Sequence, residues 1–213
     1  MKYEFMSMKL KFTAYWTLRS VIILLMCIFL SVNAYAQETP KLAAPSSMTF
    51  DFVQTKSSDM LDAPIVNTGR MAFVSPDKLR WEYVRPYSSL FVMNGERVLT
   101  ENSGGRKVSS SKSGGAYSKI SRIMMPLVGG EIPSGDGGDF SVTFTDRGDR
   151  WEMSLTPVKA NARRMFAGVV AEIDKKSGVA TKVTVRERNG DTTVITCTNI
   201  VIDSPVDESL FTF

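Results

Sequence analysis

The stretch GRMAFVSPDKLRWEYVRPYSSLFV, residues 69–92, decides the fold class. It reads as three consecutive strands. Met71 and Phe73 belong to the first. Pro76-Asp77 then turns the chain, because proline fixes φ and has no N–H to give to a ladder. In the second strand Leu79, Trp81 and Tyr83 alternate with Lys78, Arg80, Glu82 and Val84. Pro86 ends it, and residues 89–93, with Leu90, form the third. Alternation with period two puts Leu79, Trp81 and Tyr83 on one face and most of the charge on the other. A curved sheet with one apolar face holds either its own core or an apolar ligand.

The same alternation runs outward in both directions. Residues 48–54, MTFDFVQ, form a strand carrying Phe52. Asn94-Gly95 is a hairpin signal leading into a strand at 97–101. Residues 102–115, rich in Ser, Gly and Lys, read as a ragged hairpin or a mobile loop. Phe140, Val142 and Phe144 alternate with Ser and Thr, and Trp151, Met153 and Leu155 do the same. Strands follow at 167–174 and 179–188, and a last one at 191–202 after the Asn189-Gly190 turn. Residues 160–166 are a loop or a helical turn, and 37–47, with Pro40 and Pro45, an extended arm with at most one helical turn. The tail, SPVDESLFTF, places Phe211 and Phe213 on one side if it is extended. The sum is a mainly β chain, a meander of about eleven antiparallel strands, and a sheet of that size curls into a half-barrel or closes. One segment breaks the pattern. In residues 116–128, Tyr117, Ile120, Ile123, Met124 and Leu127 recur at helical spacing, and the Gly-rich connector 129–138 follows. A short amphipathic helix between two blocks of strands is placed to cover an open mouth.

The first 36 residues stand apart from this domain. Lys2, Lys9, Lys11 and Arg19 precede the apolar run VIILLMCIFLSV, and Ala34-Tyr35-Ala36 supplies small residues before Gln37. That is the layout of a cleaved secretory signal peptide, 1–36, leaving a single domain, 37–213. The run is short for a membrane span, and Met26 before Cys27 is too large for a lipidation site. Four of the 26 basic and one of the 22 acidic residues lie in the leader, which leaves 22 and 21 in the exported chain. The near balance removes any case for nucleic-acid binding. Cys197 is then the one remaining cysteine, so there is no internal disulfide.

Catalytic chemistry is sparse. The chain has no histidine, which removes the common triads and the usual zinc sites. Ser109 to Lys112 fit S-x-x-K by letter but have no K-T-G partner. The glycine-rich GGEIPSGDGG lacks the G-K-[ST] ending of a phosphate loop. No enzyme activity and no cofactor or metal are expected. What remains is large and apolar, with eight methionines in residues 37–213 to adapt to a variable ligand.

Several of these residues carry a resemblance. Phe52-Val53-Gln54, Gly69 with Phe73-Val74, Pro76-Asp77 followed by Trp81 and Pro86, then Asn94-Gly95, and the closing Asp207 with Phe211 and Phe213 resemble the periplasmic outer-membrane lipoprotein carrier family, LolA. The resemblance implies an open half-barrel of eleven strands with a helical lid over a hydrophobic cavity. It implies a periplasmic chaperone that shields lipoprotein acyl chains and carries them from an inner-membrane lipoprotein-releasing transporter to an outer-membrane acceptor, as a monomer. Leu79 and Trp81 fall where aromatic residues line the family's cavity, and Ile123, Met124 and Leu127 fall on its lid. With the alternating large residues, the expected lipid-binding set is Phe52, Met71, Phe73, Leu79, Trp81, Tyr83, Leu90, Ile123, Met124, Leu127, Trp151 and Met153. Glutamate at Leu79 or Trp81 is expected to abolish loading without unfolding the protein. Ser75 stands where the family has a lid-latching arginine, and the N-terminal helix is reduced to an arm; both point to a more permanently open groove. Two other readings fit the residues: a carrier of another lipid or pigment acyl chain on the same fold, and a lipid-sensing or scaffold module of the envelope.

Overall fold

The computed structural model describes residues 40–110, 124–132 and 138–213. The expected signal peptide, Ile123 with the first part of the expected helix, and most of the connector's middle lie outside the described residues. Eleven strands form one sheet: β1 (Ser47–Ser57), β2 (Ile65–Val74), β3 (Lys78–Arg85), β4 (Ser89–Asn94), β5 (Arg97–Asn102), β6 (Gly105–Ser110), β7 (Phe140–Asp146), β8 (Arg150–Pro157), β9 (Phe166–Asp174), β10 (Ala180–Glu187) and β11 (Thr192–Ile202). Their order is β6-β5-β4-β3-β2-β1-β11-β10-β9-β8-β7, and the sheet does not close. Two hairpin meanders thus meet where β1 pairs antiparallel with β11. The two edges, β6 and β7, are consecutive in sequence, and the segment between them carries α1, helical over 124–128. A second helix, α2 (Ala160–Met165), leads into β9. The architecture is an open half-barrel with short helices. The unit Pro40–Phe213 is compact by itself. Among the described residues no helix is long and apolar enough to cross a membrane.

The alternation read from the sequence is what packs the sheet. Met48, Phe50, Phe52, Met71, Phe73, Leu79, Trp81, Met153 and Ile195 belong to one buried cluster on the inner face. Each such side chain, taken fully out of water, contributes roughly 1.5–3 kcal/mol. The outer face has a smaller cluster, and here the structure corrects an expectation. The tail is not extended throughout: it turns as a 3₁₀ helix, η1 (Glu208–Phe211), capped by the Asp207 side chain, which accepts from the Ser209 N–H. The turn buries Phe211 against Ala72, Val92 and Leu99. Arg80, Asn94 and Arg97 donate to the carbonyls of Leu210, Phe211 and Phe213, fastening the tail across β3, β4 and β5. The described part of the arm, 40–46, makes no helical turn; the Ala43 N–H donates to Gly178 O at 2.9 Å.

Where β1 meets the β10–β11 hairpin, Lys56 Nζ lies 2.9 Å from Asp191 Oδ2. Hydrogen bonds from Ser58 and Lys56 hold the Asp191 carboxyl down at about 2. A depressed carboxyl adds stability that is fully present above its unfolded value, near 4, and is lost as pH falls through about 2. Thermal melts between pH 5 and pH 2 are therefore expected to fall less steeply for Asp191→Asn than for the parent. An identical slope for both would mean that this pair does not hold the hairpin to β1.

Candidate lipid-binding face

Strand register assembles the inner face as cross-strand rows. Phe50, Met71, Trp81 and Phe91 stand opposite one another on β1 to β4. The next row runs Met48, Phe73, Leu79, Met93 and Val98. Directly opposed side chains in a sheet are close enough to pack as pairs, so each row is a continuous apolar strip. In the third row Phe52 faces Gly69, which faces Tyr83. The glycine there is a spatial necessity: a Cβ on Gly69 would sit 2.1 Å from Glu82 O and 2.4 Å from Phe52 Cζ. The Phe52 ring occupies the vacant space. It lies 4.4 Å from Trp81 at an interplanar angle of 31°, and meets Tyr83 edge-on at 5.4 Å and 90°. Across β1 the other half of the face continues through Ile195, Val183, Ala171 and Met153, again in register.

Polar groups are few on this face. The Tyr83 hydroxyl donates to Gln54 Oε1 at 2.9 Å, and burial pushes its phenol above the ordinary range. The Trp81 N–H lies near enough to that hydroxyl to oppose part of the shift, yet the two do not reach hydrogen-bond geometry and the indole Nε1 is left unpaired. An unpaired buried donor costs about 1–3 kcal/mol. Cys197 lies on the same face, and burial pushes its thiol up to about 12, so it is inert. Trp151 marks the rim, with Lys175 Nζ 4.3 Å from its ring centroid.

α1 lies over part of this face. Met124, Leu127 and Val128 are buried in the same cluster as the strand residues. Together with Phe50, Val183 and Cys197 among others, they line a small pocket of about 10 Å³, room for roughly one water. The helix ends at two glycines, and Gly130 (φ +73°) has no room for a side chain, since a Cβ would sit 2.2 Å from Ala43 O. The arm thus wedges between the exit of α1 and the β9–β10 turn.

Ten of the twelve expected residues come together: Phe52, Met71, Phe73, Leu79, Trp81, Tyr83, Met124, Leu127, Trp151 and Met153 all belong to the inner cluster or pack on it. Leu90 does not. It alternates with Phe91 and packs with Val92 on the outer face, against the tail. Ile123 lies outside the described residues. Phe50, Phe91 and Met93 were missed. Phe50 was legible from its parity with Phe52, whereas Phe91 required the pairing with Trp81. The expectation of an open groove is also corrected: Leu79 is 0 % exposed and Trp81 1 %. At these two positions the inner face is packed, while Tyr83, Val142 and Phe144 on the same face are only partly buried.

The fold and this face define an open antiparallel half-barrel with an apolar interior and a helix over it. Residues 44–213 match the family described as Outer membrane lipoprotein carrier protein LolA, and the chain belongs to that family. It is similar to an outer-membrane lipoprotein carrier protein of Pseudoalteromonas translucida (strain TAC 125), 24 % identical over 173 residues that span 81 % of this chain and 79 % of the relative. Similar solved structures include a LolA superfamily protein from Nitrosomonas europaea, at 8 % identity and TM-score 0.43 over 81 % of this chain and 92 % of that one. Another is the MucA/MucB complex of Pseudomonas aeruginosa, at 8 % and 0.46 over 78 % and 56 %.

Proposed function

We propose that this protein is exported by its leader, residues 1–36, and that the domain 37–213 carries lipoproteins through the periplasm from an inner-membrane releasing transporter to an outer-membrane acceptor. The inner face, from Phe52, Met71, Phe73, Leu79, Trp81 and Tyr83 on one side to Trp151 and Met153 on the other, shields the acyl chains, and Met124 and Leu127 cover them. The observation that carries this reading is the unbroken apolar strip from Phe50 to Phe91, in a chain of the lipoprotein carrier family. An exposed acyl chain costs roughly 0.8 kcal/mol per CH₂, and a carrier must offset much of that while still releasing its cargo. Non-directional contact with aromatic rings and pliable methionines (Met48, Met71, Met93, Met124 and Met153 all line the cluster) meets both demands. No bond is made or broken, and no cofactor takes part.

The test is release. Purified Pro40–Phe213 is added to spheroplasts of its own organism, and the soluble fraction is analysed for lipoproteins bound to it. Stoichiometric lipoprotein complexes are the expected outcome. Lipid without lipoprotein would make the protein a carrier of another acyl chain, and a stable protein complex holding no lipid would make it an envelope scaffold.

A further inference from the structure

The proposed acyl-binding wall holds one buried donor that no acceptor meets at hydrogen-bond geometry, the nearby Tyr83 hydroxyl included. Trp81 is 1 % exposed, and its Nε1 has no hydrogen-bond partner. Ser109 Oγ is the other such atom among the described residues, and it lies three strands away on β6. Folded interiors pair nearly all their buried polar groups, and an exception calls for an explanation such as an absent ligand. The surroundings of Trp81 narrow what that ligand group is. Its neighbours on the inner face are Phe50 and Phe52 on β1, Met71 on β2, Leu79 and Tyr83 on its own strand and Phe91 on β4. None is charged. The Tyr83 proton is committed to Gln54.

We propose that the Trp81 indole N–H docks the acyl carbonyl oxygen of the cargo, in an ester or an amide, and so sets how far the chain enters the half-barrel. The inference rests on the reading of this face as an acyl-binding wall. A donor that no protein acceptor meets at hydrogen-bond geometry matches a group that accepts and does not donate. A carbonyl oxygen is such a group. A carboxylate would bring a charge among uncharged neighbours that cannot compensate it, and burying an unpaired charge is far more costly than burying a neutral acceptor. An ether oxygen is a poorer acceptor than a carbonyl. The anchor also distinguishes the two ends of a chain that the apolar rows treat alike: the rows hold any alkyl segment, and the N–H holds the one point where the acyl chain joins its head.

Three probes of equal chain length separate the possibilities: monopalmitoylglycerol (ester), palmitoylethanolamide (amide) and hexadecylglycerol (ether). Each is titrated into Pro40–Phe213 against a displaceable fluorescent alkyl probe. One net hydrogen bond corresponds to a preference of about five- to tenfold. The domain is expected to bind the ester or the amide tighter than the ether by that factor, and the tighter of the two carbonyl probes identifies a glyceryl-linked or an N-linked chain. Trp81→Phe keeps an aromatic ring and removes the N–H, so its carbonyl-to-ether ratio is expected to fall to one, whereas Ser109→Ala is expected to keep the parent ratio. The ratio cancels any uniform loss of affinity from repacking, and the parent protein alone decides the first half of the test. Equal binding of all three probes by the parent overturns the anchor and leaves the acyl wall standing. A preference that survives in Trp81→Phe also overturns it. Binding of none of the probes overturns both readings.

Discussion

Leu79→Glu is expected to unfold the domain rather than merely empty it. Leu79 is 0 % exposed and stands between Phe73 on β2 and Met93 on β4. A carboxylate there meets carbon on every side. Leaving a buried charge without a partner costs about 3–5 kcal/mol, and losing the leucine contacts adds about 2–5 kcal/mol. Domains of this kind are stable by only about 5–15 kcal/mol in all. The far-UV circular dichroism of Leu79→Glu should therefore show loss of the β signature, or a melt lowered by more than about 15 °C. Val84→Glu, on the same strand but 43 % exposed, is the control and should shift stability by no more than about 0.5 kcal/mol. This replaces the expectation formed from the sequence, in which glutamate at Leu79 or Trp81 blocks loading and spares the fold. That expectation assumed an open groove. A Leu79→Glu protein that melts with the parent would restore it, because the new carboxylate could then reach water without opening the sheet.

The difference between the two expectations shows what a sequence of this kind conveys. Period-two alternation is legible wherever one face is dry and the other wet, as in β3, where Leu79, Trp81 and Tyr83 turn inward and Lys78, Arg80 and Glu82 outward, and in β8 with Trp151, Met153 and Leu155. It fails where both faces are dry. β4 reads SLFVMN, four apolar residues in a row, because η1 buries its outer side. Parity cannot choose between Leu90 and Phe91 there. The choice is made by pairing with β3, a long-range fact. β6 fails for the opposite reason: an edge strand, GRKVSS, with almost no buried side chain has no alternation to read, and basic residues on such a strand discourage pairing with another chain. The seat of the arm was hidden for a third reason. In the sequence Gly130 looks like a linker glycine and Gly178 like a turn glycine, but at each a Cβ would collide with the backbone of residues 41–44. Family resemblance supplied the lid and the half-barrel. It did not supply the packing at Leu79 and Trp81, which depends on how these side chains fill space.

If the inner face is packed at Leu79 and Trp81, loading there requires that something lift, and α1 is the part that can do so without unpairing a strand. Leu127→Asp is expected to undock it. Leu127 is 4 % exposed and shares the small pocket beneath the helix with Cys197. In Pro40–Phe213 Cys197 is the single thiol, since the other cysteine of the chain is Cys27. Cys197 is doubly protected, by its 8 % exposure and by a pKa pushed up to about 12. Exposure to water would return it towards the free value near 8.5, which raises the thiolate fraction at pH 8 by roughly a thousandfold. In the parent, reaction with a disulfide reagent such as DTNB should be slow and should report only transient opening. In Leu127→Asp it should be at least about tenfold faster, because even a minor open population exposes a far more reactive thiolate. The far-UV spectrum should stay that of the sheet, because α1 supplies none of the eleven strands. Faster labelling with an intact sheet makes α1 the cover of the acyl wall, and an alkyl ligand held against that wall should then slow the labelling again. An intact sheet with labelling as slow as in the parent would mean that the seal over Cys197 is made by the strands themselves, and that cargo enters elsewhere along the inner face. Loss of the sheet would make Leu127 part of the core that holds β1, β10 and β11 together, and a lid in name only.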